Sequence, residues 1–447
     1  MEVLELLRGL GQWHILQHAE SLPLDKRLQF VEDLNGLDIV TAFSILRDEN
    51  KRGGEWESLY PPSVLQRDGQ SDANARRIGE RALSENKLAV LLVAGGQGTR
   101  LGFSGPKGAY PVTPVMGKSP FQLFAERVSW LSRRYKCRLP FLIMTSDETH
   151  EETVRFFEDR GFFGLEEMVS FMRQDSMPVL TSQGKLALKD ETHIARSPNG
   201  HGGALQALKR YGFVDLLLDE GFEHLFYFQV DNPLVQIGDP VFFGYHLIEQ
   251  ACVSTKVVRR RHMEEKVGLY VRTEKGDRIV EYMEKDERLN AMDEKGGPLF
   301  WAGNTAIHIF SLRFLKRVID EGVELPYHLV ERTMEIYEPA TGLRPERVLK
   351  CERFIFDLIP YAERTCVVET KREEEFSPIK NASGEDSPDE ARRSMLNLYR
   401  RRLREAGLEI PDGLIVEVDP SLLFDPQELR KAVRVIEITS PLYIGRP

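Results

Sequence analysis

The chain has 447 residues, 41% hydrophobic and 29% charged, which excludes wholesale disorder and leaves room for two or three domains with an ample core. Its 60 basic and 70 acidic residues leave a net charge of −10, so the basic footprint of a duplex-binding protein is missing and no nucleic-acid partner is expected. The four cysteines (Cys137, Cys252, Cys351, Cys366) form no C-x-x-C pair, which argues against a disulfide framework or structural zinc and fits a reducing compartment. The opening residues Met1 to Glu5 carry no basic region followed by an apolar core, and no apolar run approaches the ~20 residues that span a bilayer. The expectation is a cytoplasmic protein with no membrane partner.

Residues 1–85 read as a helical N-terminal region. Leu4, Leu6, Leu7, Leu10, Ile15 and Leu16, then Leu28, Phe30, Val31 and Leu34, recur at helical spacing. Tyr60 to Ser63 and the polar run Arg67 to Ala73 read as loops. At Leu88 the texture changes: Leu88 to Ala94 is a continuous apolar run, as expected of a strand buried on both faces of a parallel sheet. Ser119-Pro120 reads as an N-cap with Pro in the first turn of a helix buried through Phe121, Phe124, Val128 and Leu131. Phe141 to Met144 predicts a second strand, Glu151 to Arg160 a helix, and His224 to Val230 a third strand ending at Asp231. This alternation predicts a doubly wound α/β sheet. Short strands follow at Lys256 to Val258, Gly268 to Val271, Arg278 to Tyr282, Ala306 to Phe310 and Phe354 to Leu358, a mixed-sheet continuation of one domain over 86–372. Residues 371–390 read as a charged linker, followed by a helix (Asp389 to Ala406) and a short strand (Leu414 to Val418) in a small C-terminal domain, 373–447.

The strongest chemical signal is Ala94-Gly95-Gly96-Gln97-Gly98-Thr99-Arg100-Leu101-Gly102, directly after the first buried strand. Glycines let the backbone approach a phosphate and let successive N–H groups share one concavity. Arg100 and Lys107 add fixed positive charge for a polyphosphate. A plain glycine-rich turn is the bland alternative. Two better-known phosphate loops fail here. The dinucleotide fingerprint G-x-G-x-x-G would begin at Gly96 and Gly98 but meets Leu101 at its third glycine, and a Walker A loop on Gly117-Lys118-Ser119 meets Val112 at its first. Asp231, at the carboxyl end of a predicted strand, stands where α/β sheets bind ligands and where a carboxylate can hold Mg²⁺, although a turn or N-cap Asp fits that position equally. Asp357, a lone acid in the apolar run Phe354 to Leu358, needs either a metal or a salt-bridge partner.

Ala94 to Gly102 followed by Pro106-Lys107-Gly108 resembles the signature of nucleotidyltransferases that make nucleotide sugars, and within them the UDP-N-acetylhexosamine (UDP-N-acetylglucosamine) pyrophosphorylase branch of the UDP-sugar pyrophosphorylases. Ser197 to Gly203, Gln229 to Asn232, Val280 to Tyr282, Gly303-Asn304 and Phe376 to Asn381 keep that family's order over roughly residues 85–420. The resemblance implies a Rossmann-like, GT-A-like mixed sheet flanked by helices. It also implies a uridylyltransferase that joins UTP to a sugar 1-phosphate, with Mg²⁺, as a monomer or homodimer.

The resemblance assigns Arg100, Lys107 and Lys380 to catalysis and Asp231 to the metal, while Asp357, as the lone acid of its apolar run, is the second metal candidate. It assigns Ala94, Gly95, Gly96, Gly98, Thr99, Gln174, Gly200, His201 and Gly202 to the nucleotide. Gly268, Glu281, Tyr282 and Asn304 are assigned to the sugar. Surface, core or turn roles are the alternatives at Gln174, Tyr282 and Lys380. One motif departs: the family's usual P-D-G-N-G-G is here Pro198-Asn199-Gly200-His201-Gly202-Gly203, which looks more like the UDP-glucose and broad UDP-sugar enzymes. His201 can titrate near neutral pH or simply accept a structural hydrogen bond. N-acetylglucosamine 1-phosphate is the expected acceptor, with glucose 1-phosphate or a broad sugar range as the alternative. A non-catalytic nucleotide-sugar sensor is the alternative of another class, and the presence of Arg100, Lys107, Asp231 and Lys380 weighs against it.

Overall fold

A computed structural model describes residues 2–48, 57–67, 69–284, 286–435 and 441–445. The chain divides into two compact units. One comprises Met1–Trp56, Gln174–Ala207 and Glu324–Asp357; the other comprises Glu57–Arg173, Leu208–Val323 and Leu358–Pro447.

The second unit is built on a ten-stranded mixed sheet. Its parallel part runs His224–Gln229, Leu88–Val93, Phe141–Thr145, Val169–Arg173. Leu88–Val93 is buried along its whole length, as its unbroken apolar run requires. Ala302–Ser311 joins the other edge of His224–Gln229 in antiparallel sense and also pairs with Leu269–Thr273 and Val253–Arg259. Thr365–Glu369 lies parallel beside Val253–Arg259, and Leu65 bonds to its far edge through Val367 and Glu369. Ser119 caps helix Pro120–Tyr135 by accepting the Gln122 N–H, and Phe121, Phe124, Val128 and Leu131 are buried at the predicted spacing. The Phe124 ring meets Phe228 of the sheet edge-on at 4.9 Å. The expected α/β architecture, a mixed sheet flanked by helices, is the observed one.

Three expectations are corrected in this unit or at its margin. Helix Gly69–Ser84 begins inside the polar run Arg67 to Ala73, of which Asp68 lies outside the described residues. Its buried stripe is small (Ala75, Gly79, Ala82) until Leu83 near its end, so hydrophobic periodicity barely marks its start. That stripe meets helix Pro240–Ile248 backbone to backbone: a Cβ on Gly244 would sit 1.8 Å from the Ala75 carbonyl oxygen, and one on Gly79 2.0 Å from that of Pro240. Residues 371–390 are not a solvated linker, because Glu375, Phe376, Ser377 and Ile379 are all buried. Helix Pro388–Glu405 then buries Met395, Leu398, Tyr399 and Leu403 in the same core as Leu88 and Phe226. Finally, Phe354 to Leu358 is not a strand. The chain turns at Arg353 into a 3-10 stretch, Ile355–Tyr361, which contains Pro360.

The first unit joins four short helices, Glu2–Gly9, Trp13–Ser21, Leu24–Asn35 and Ile39–Asp48, to a long hairpin. Tyr327–Glu338 and Gly342–Arg353 pair along their full lengths, and Leu180–Thr181 adds a third strand. Leu7, Ile15, Phe30 and Leu34 share a core with Leu180, Leu186 and Ile194. The Asp33 carboxylate accepts the Ile194 N–H at 2.9 Å and an Arg196 N–H at 2.6 Å. Among the described residues no helix is long and apolar enough to cross a membrane.

Candidate active site

The glycine-rich loop leaves the carboxyl end of Leu88–Val93 and folds back on itself. The Gly98 N–H donates to the Gly105 carbonyl at 2.9 Å and the Lys107 N–H to that of Gly96 at 3.0 Å. A Cβ on Gly98 would lie 2.8 Å from the Phe103 ring and one on Gly108 2.3 Å from the Phe121 ring, so the loop packs closely only with glycine at both positions. Ala94 donates its N–H to Met144, and the Gly95 carbonyl accepts from Ser146 Oγ at 2.9 Å. Thr99–Leu101 forms a single 3-10 turn that Gly102 ends in the left-handed region, leaving Gly96, Thr99 and Arg100 exposed. Ala94 and Gly98 therefore shape the loop, while Gly96, Thr99 and Arg100 form its open face.

Three cations meet one carboxylate here. Burial pulls the Lys107 ammonium below its ordinary range; Asp231 opposes that shift, and Arg100 and Lys380 add to it. Lys107 and Arg100 have no carboxylate within ion-pair distance among the described residues, and Lys380 reaches only Asp386, at 3.7 Å. Cations held together with so little protein compensation leave a positive field that a polyphosphate neutralises. Asp231 follows strand His224–Gln229, as its sequence position predicted. Its carbonyl accepts the Ile379 N–H at 2.8 Å, which fixes the start of the Lys380 turn; Lys380 and Asn381 then donate their N–H groups to the Asp386 carbonyl. Asn232 completes the join: its amide donates to the Glu375 carbonyl at 2.7 Å and accepts the Ser377 N–H at 3.2 Å.

Gly268, Glu281 and Asn304 come together in the same unit. The Asn304 N–H donates to the Gly268 carbonyl at 2.8 Å. A Cβ on Gly268 would stand 2.6 Å from the Glu281 carboxylate, so glycine keeps that carboxylate reachable. Asn304 caps its own bulge by accepting the Ala306 N–H, and Ala306 takes a φ of +56° where the pairing with Val253–Arg259 shifts register. Tyr282 is 40% exposed on the following 3-10 turn, so a core-packing role does not account for it.

The remaining candidates belong to the first unit. Gln174 is buried with its side-chain oxygen unpartnered, an acceptor ready for a base N–H. Asn199 is also buried with an unpartnered side-chain oxygen. Gly200 has a φ of +83°, and a Cβ there would lie 2.5 Å from the Arg353 carbonyl oxygen; Gly202 packs on the same peptide and donates its N–H to it at 2.8 Å. His201 accepts the Ile355 N–H on Nδ1 at 3.1 Å and stacks on Phe354. Burial, with His328 nearby, pushes its pKa down to about 3, so it is a neutral structural acceptor and does not titrate near neutral pH. Phe354 also stacks on His328, whose Nε2 lies 2.9 Å from Asp357 Oδ2. Asp357 thus has a histidine partner of its own.

Sequence reasoning missed Asn199, the linking role of Asn232, and a buried trio of Lys256, Asp239 and Glu375. The buried lysine in the run Val253 to Val258 was the available signal for the trio.

A phosphate loop after the first strand, a carboxylate at the next strand end and a distant lysine define a nucleotidyltransferase-type site. A family profile described as UTP–glucose-1-phosphate uridylyltransferase matches residues 44–402, and the chain belongs to that family. It is 34% identical to UDP-N-acetylglucosamine pyrophosphorylase of Saccharomyces cerevisiae over 444 residues, covering 95% of this chain and 92% of that one. It is also 34% identical to UDP-N-acetylglucosamine diphosphorylase 2 of Arabidopsis thaliana, covering 91% and 85%. The uridine diphosphate N-acetylglucosamine pyrophosphorylase of Trypanosoma brucei, solved with an inhibitor, superposes with a TM-score of 0.82 at 25% identity, over 98% of this chain and 97% of that one.

Proposed function

We propose that the protein transfers the uridylyl group of UTP to N-acetylglucosamine 1-phosphate. An oxygen of the sugar phosphate attacks the α-phosphorus in line, the bond to the β-phosphate oxygen breaks, and pyrophosphate leaves with those electrons. The observation that carries this reading is the set of sparsely compensated cations, Arg100, Lys107 and Lys380, gathered about Asp231. Arg100 and Lys107 hold the triphosphate against the open face of the glycine loop and take up charge that builds on the leaving group. Lys380 neutralises the phosphates from a strap held by Asn232 at Glu375 and Ser377 and by the Asp231 carbonyl at Ile379. Gly268, Glu281, Tyr282 and Asn304 receive the sugar, with the Glu281 carboxylate as hydroxyl acceptor. No protein nucleophile is required, because the enzyme supplies position and charge.

Mg²⁺ fits this site as an ion held by Asp231 together with substrate phosphates; among the described residues no group of three or more acidic, histidine or cysteine side chains forms a protein-only cage. When bound, it would neutralise phosphate charge and orient the triphosphate. The names of the relatives support the N-acetylated sugar, and the His201 departure is accounted for by packing on Phe354. Four free cysteines support a reducing, cytoplasmic setting. The test is pyrophosphate release from UTP with N-acetylglucosamine 1-phosphate and glucose 1-phosphate in parallel. A large preference for the N-acetylated sugar is expected. Preference for glucose 1-phosphate overturns the sugar assignment, and UTP binding without turnover on either sugar overturns the enzyme.

A further inference from the structure

Four charged side chains in the second unit take no part in the chemistry above. Lys256, on strand Val253–Arg259, is fully buried, and its Nζ donates to both carboxylate oxygens of Glu375 at 2.6 Å and to Asp239 Oδ2 at 2.8 Å. That is the full complement of three bonds an ammonium can make. The Asp239 and Glu375 side chains are 3% and 1% exposed. Arg67 lies 3.5 Å from Asp239 and balances the charge, while the Phe242 ring stands 5.1 Å from the Lys256 ammonium.

Stability alone does not explain such a group. Removing the three charges of Lys256, Asp239 and Glu375 from water is costly, and a well-packed apolar set of similar volume is often as stable or more so. What distinguishes the group is where its members are attached. Asp239 lies shortly after Asp231 and caps helix Pro240–Ile248 by accepting the Val241 N–H at 3.0 Å. Glu375 ends the turn Arg372–Glu375, shortly before Lys380. Between them run the Asn232 bonds to Glu375 and Ser377 and the bond from Ile379 to Asp231. One lysine, rooted in the sheet, therefore grips both segments that deliver charged groups to the site.

We propose that Lys256 is a positioning residue for uridylyl transfer, holding Glu375 and Asp239 together so that Lys380 and Asp231 keep their spacing. The inference rests on the reading of Lys380 and Asp231 given above. Displacements of about 1 Å in such groups cost on the order of 100-fold in rate.

The test uses the full-length enzyme. The double variant Lys256→Met/Glu375→Leu removes one cation and one carboxylate and leaves Asp239 paired with Arg67. It is expected to keep its circular dichroism and cooperative thermal unfolding, with kcat falling about 100-fold and the KM for UTP changing less than about threefold. In a Lys380→Ala background the same pair of changes is expected to lower kcat by less than about threefold, since no lysine is left to misplace. A folded double variant with wild-type kcat overturns the positioning role, and so does a loss that multiplies in full with Lys380→Ala. Should the double variant fail to fold, Glu375→Gln decides. It keeps the side-chain shape, and its kcat is expected to fall about tenfold, again without multiplying with Lys380→Ala; an unchanged kcat overturns the proposal. Wild-type kcat in Lys380→Ala alone overturns the catalytic reading of Lys380, and this proposal with it. A loss there beside a wild-type double variant overturns only the role of Lys256.

Discussion

Asp231 and Asp357 are both metal candidates from the sequence, yet their surroundings differ. Asp231 follows a parallel strand and shares its space with Arg100, Lys107 and Lys380. Asp357 sits on a 3-10 turn with His328 bonded to its carboxylate at 2.9 Å. A carboxylate paired with a neighbouring imidazole has part of its charge offset by the protein. A carboxylate facing several cations that have almost no other partner is part of a site with charge left over.

The strongest way to break this contrast is to remove the cations. Arg100→Ala and Lys107→Met should each lower kcat by about 10²–10³-fold, the loss typical of one transition-state charge donor, with circular dichroism unchanged; near-normal turnover in a folded variant defeats the phosphate-loop assignment. Next, Asp231→Asn should raise the Mg²⁺ concentration for half-maximal rate by at least about tenfold, since even partners of a metal ligand contribute that much. Asp357→Asn keeps a hydrogen-bonding group beside His328 and should leave the Mg²⁺ titration within about twofold of wild type, at a stability loss of about 1 kcal/mol. Equal Mg²⁺ shifts in the two variants erase the distinction.

A smaller effect concerns His201. With a folded pKa of about 3 against an unfolded value near 6.5, the unfolded chain binds the proton first. The stabilisation is therefore complete above pH 6.5 and is lost as pH falls toward 3. Between pH 6.5 and 5 this amounts to about 2 kcal/mol, which His201→Gln should remove from the pH dependence of urea unfolding while still accepting the Ile355 N–H. An unaltered slope in the variant shows that the ring is protonated in the fold. The mildest change is Tyr282→Phe, expected to raise the KM for the sugar phosphate by about threefold, the scale of one neutral hydrogen bond at an exposed site, and to spare the KM for UTP.

Local patterns in the sequence carried the parallel sheet, the capped helix after Ser119 and the glycine loop, because each rests on neighbours in the chain. The buried face of Leu88–Val93 and the Gly98 and Gly108 contacts with Phe103 and Phe121 all lie within one short stretch. The long hairpin Tyr327–Glu338 with Gly342–Arg353 went unread, since exposed and buried residues mix along it. The start of helix Gly69–Ser84 is unmarked because the first buried positions along it are alanine and glycine. Residues 371–390 read as a linker on their charge, although Glu375 pairs with Lys256, 119 positions away in the chain. Pairings at that range have no signature in local composition. Gly268, Glu281 and Asn304 sit between these extremes, marked by motif and brought together only by strand register.

The far edge of the sheet has a consequence for how the enzyme is made. Leu65, among the first residues of its unit to leave a ribosome, finds its backbone partners only on Thr365–Glu369, and Lys380 follows that strand. A nascent chain can form its glycine loop and parallel strands early, but the edge seam must wait until Thr365–Glu369 has been synthesised. Contacts of such wide sequence separation form slowly, and the unfinished edge is exposed meanwhile. The proposed set of Arg100, Lys107 and Lys380 is therefore completed late, since Lys380 follows the strand that closes the seam.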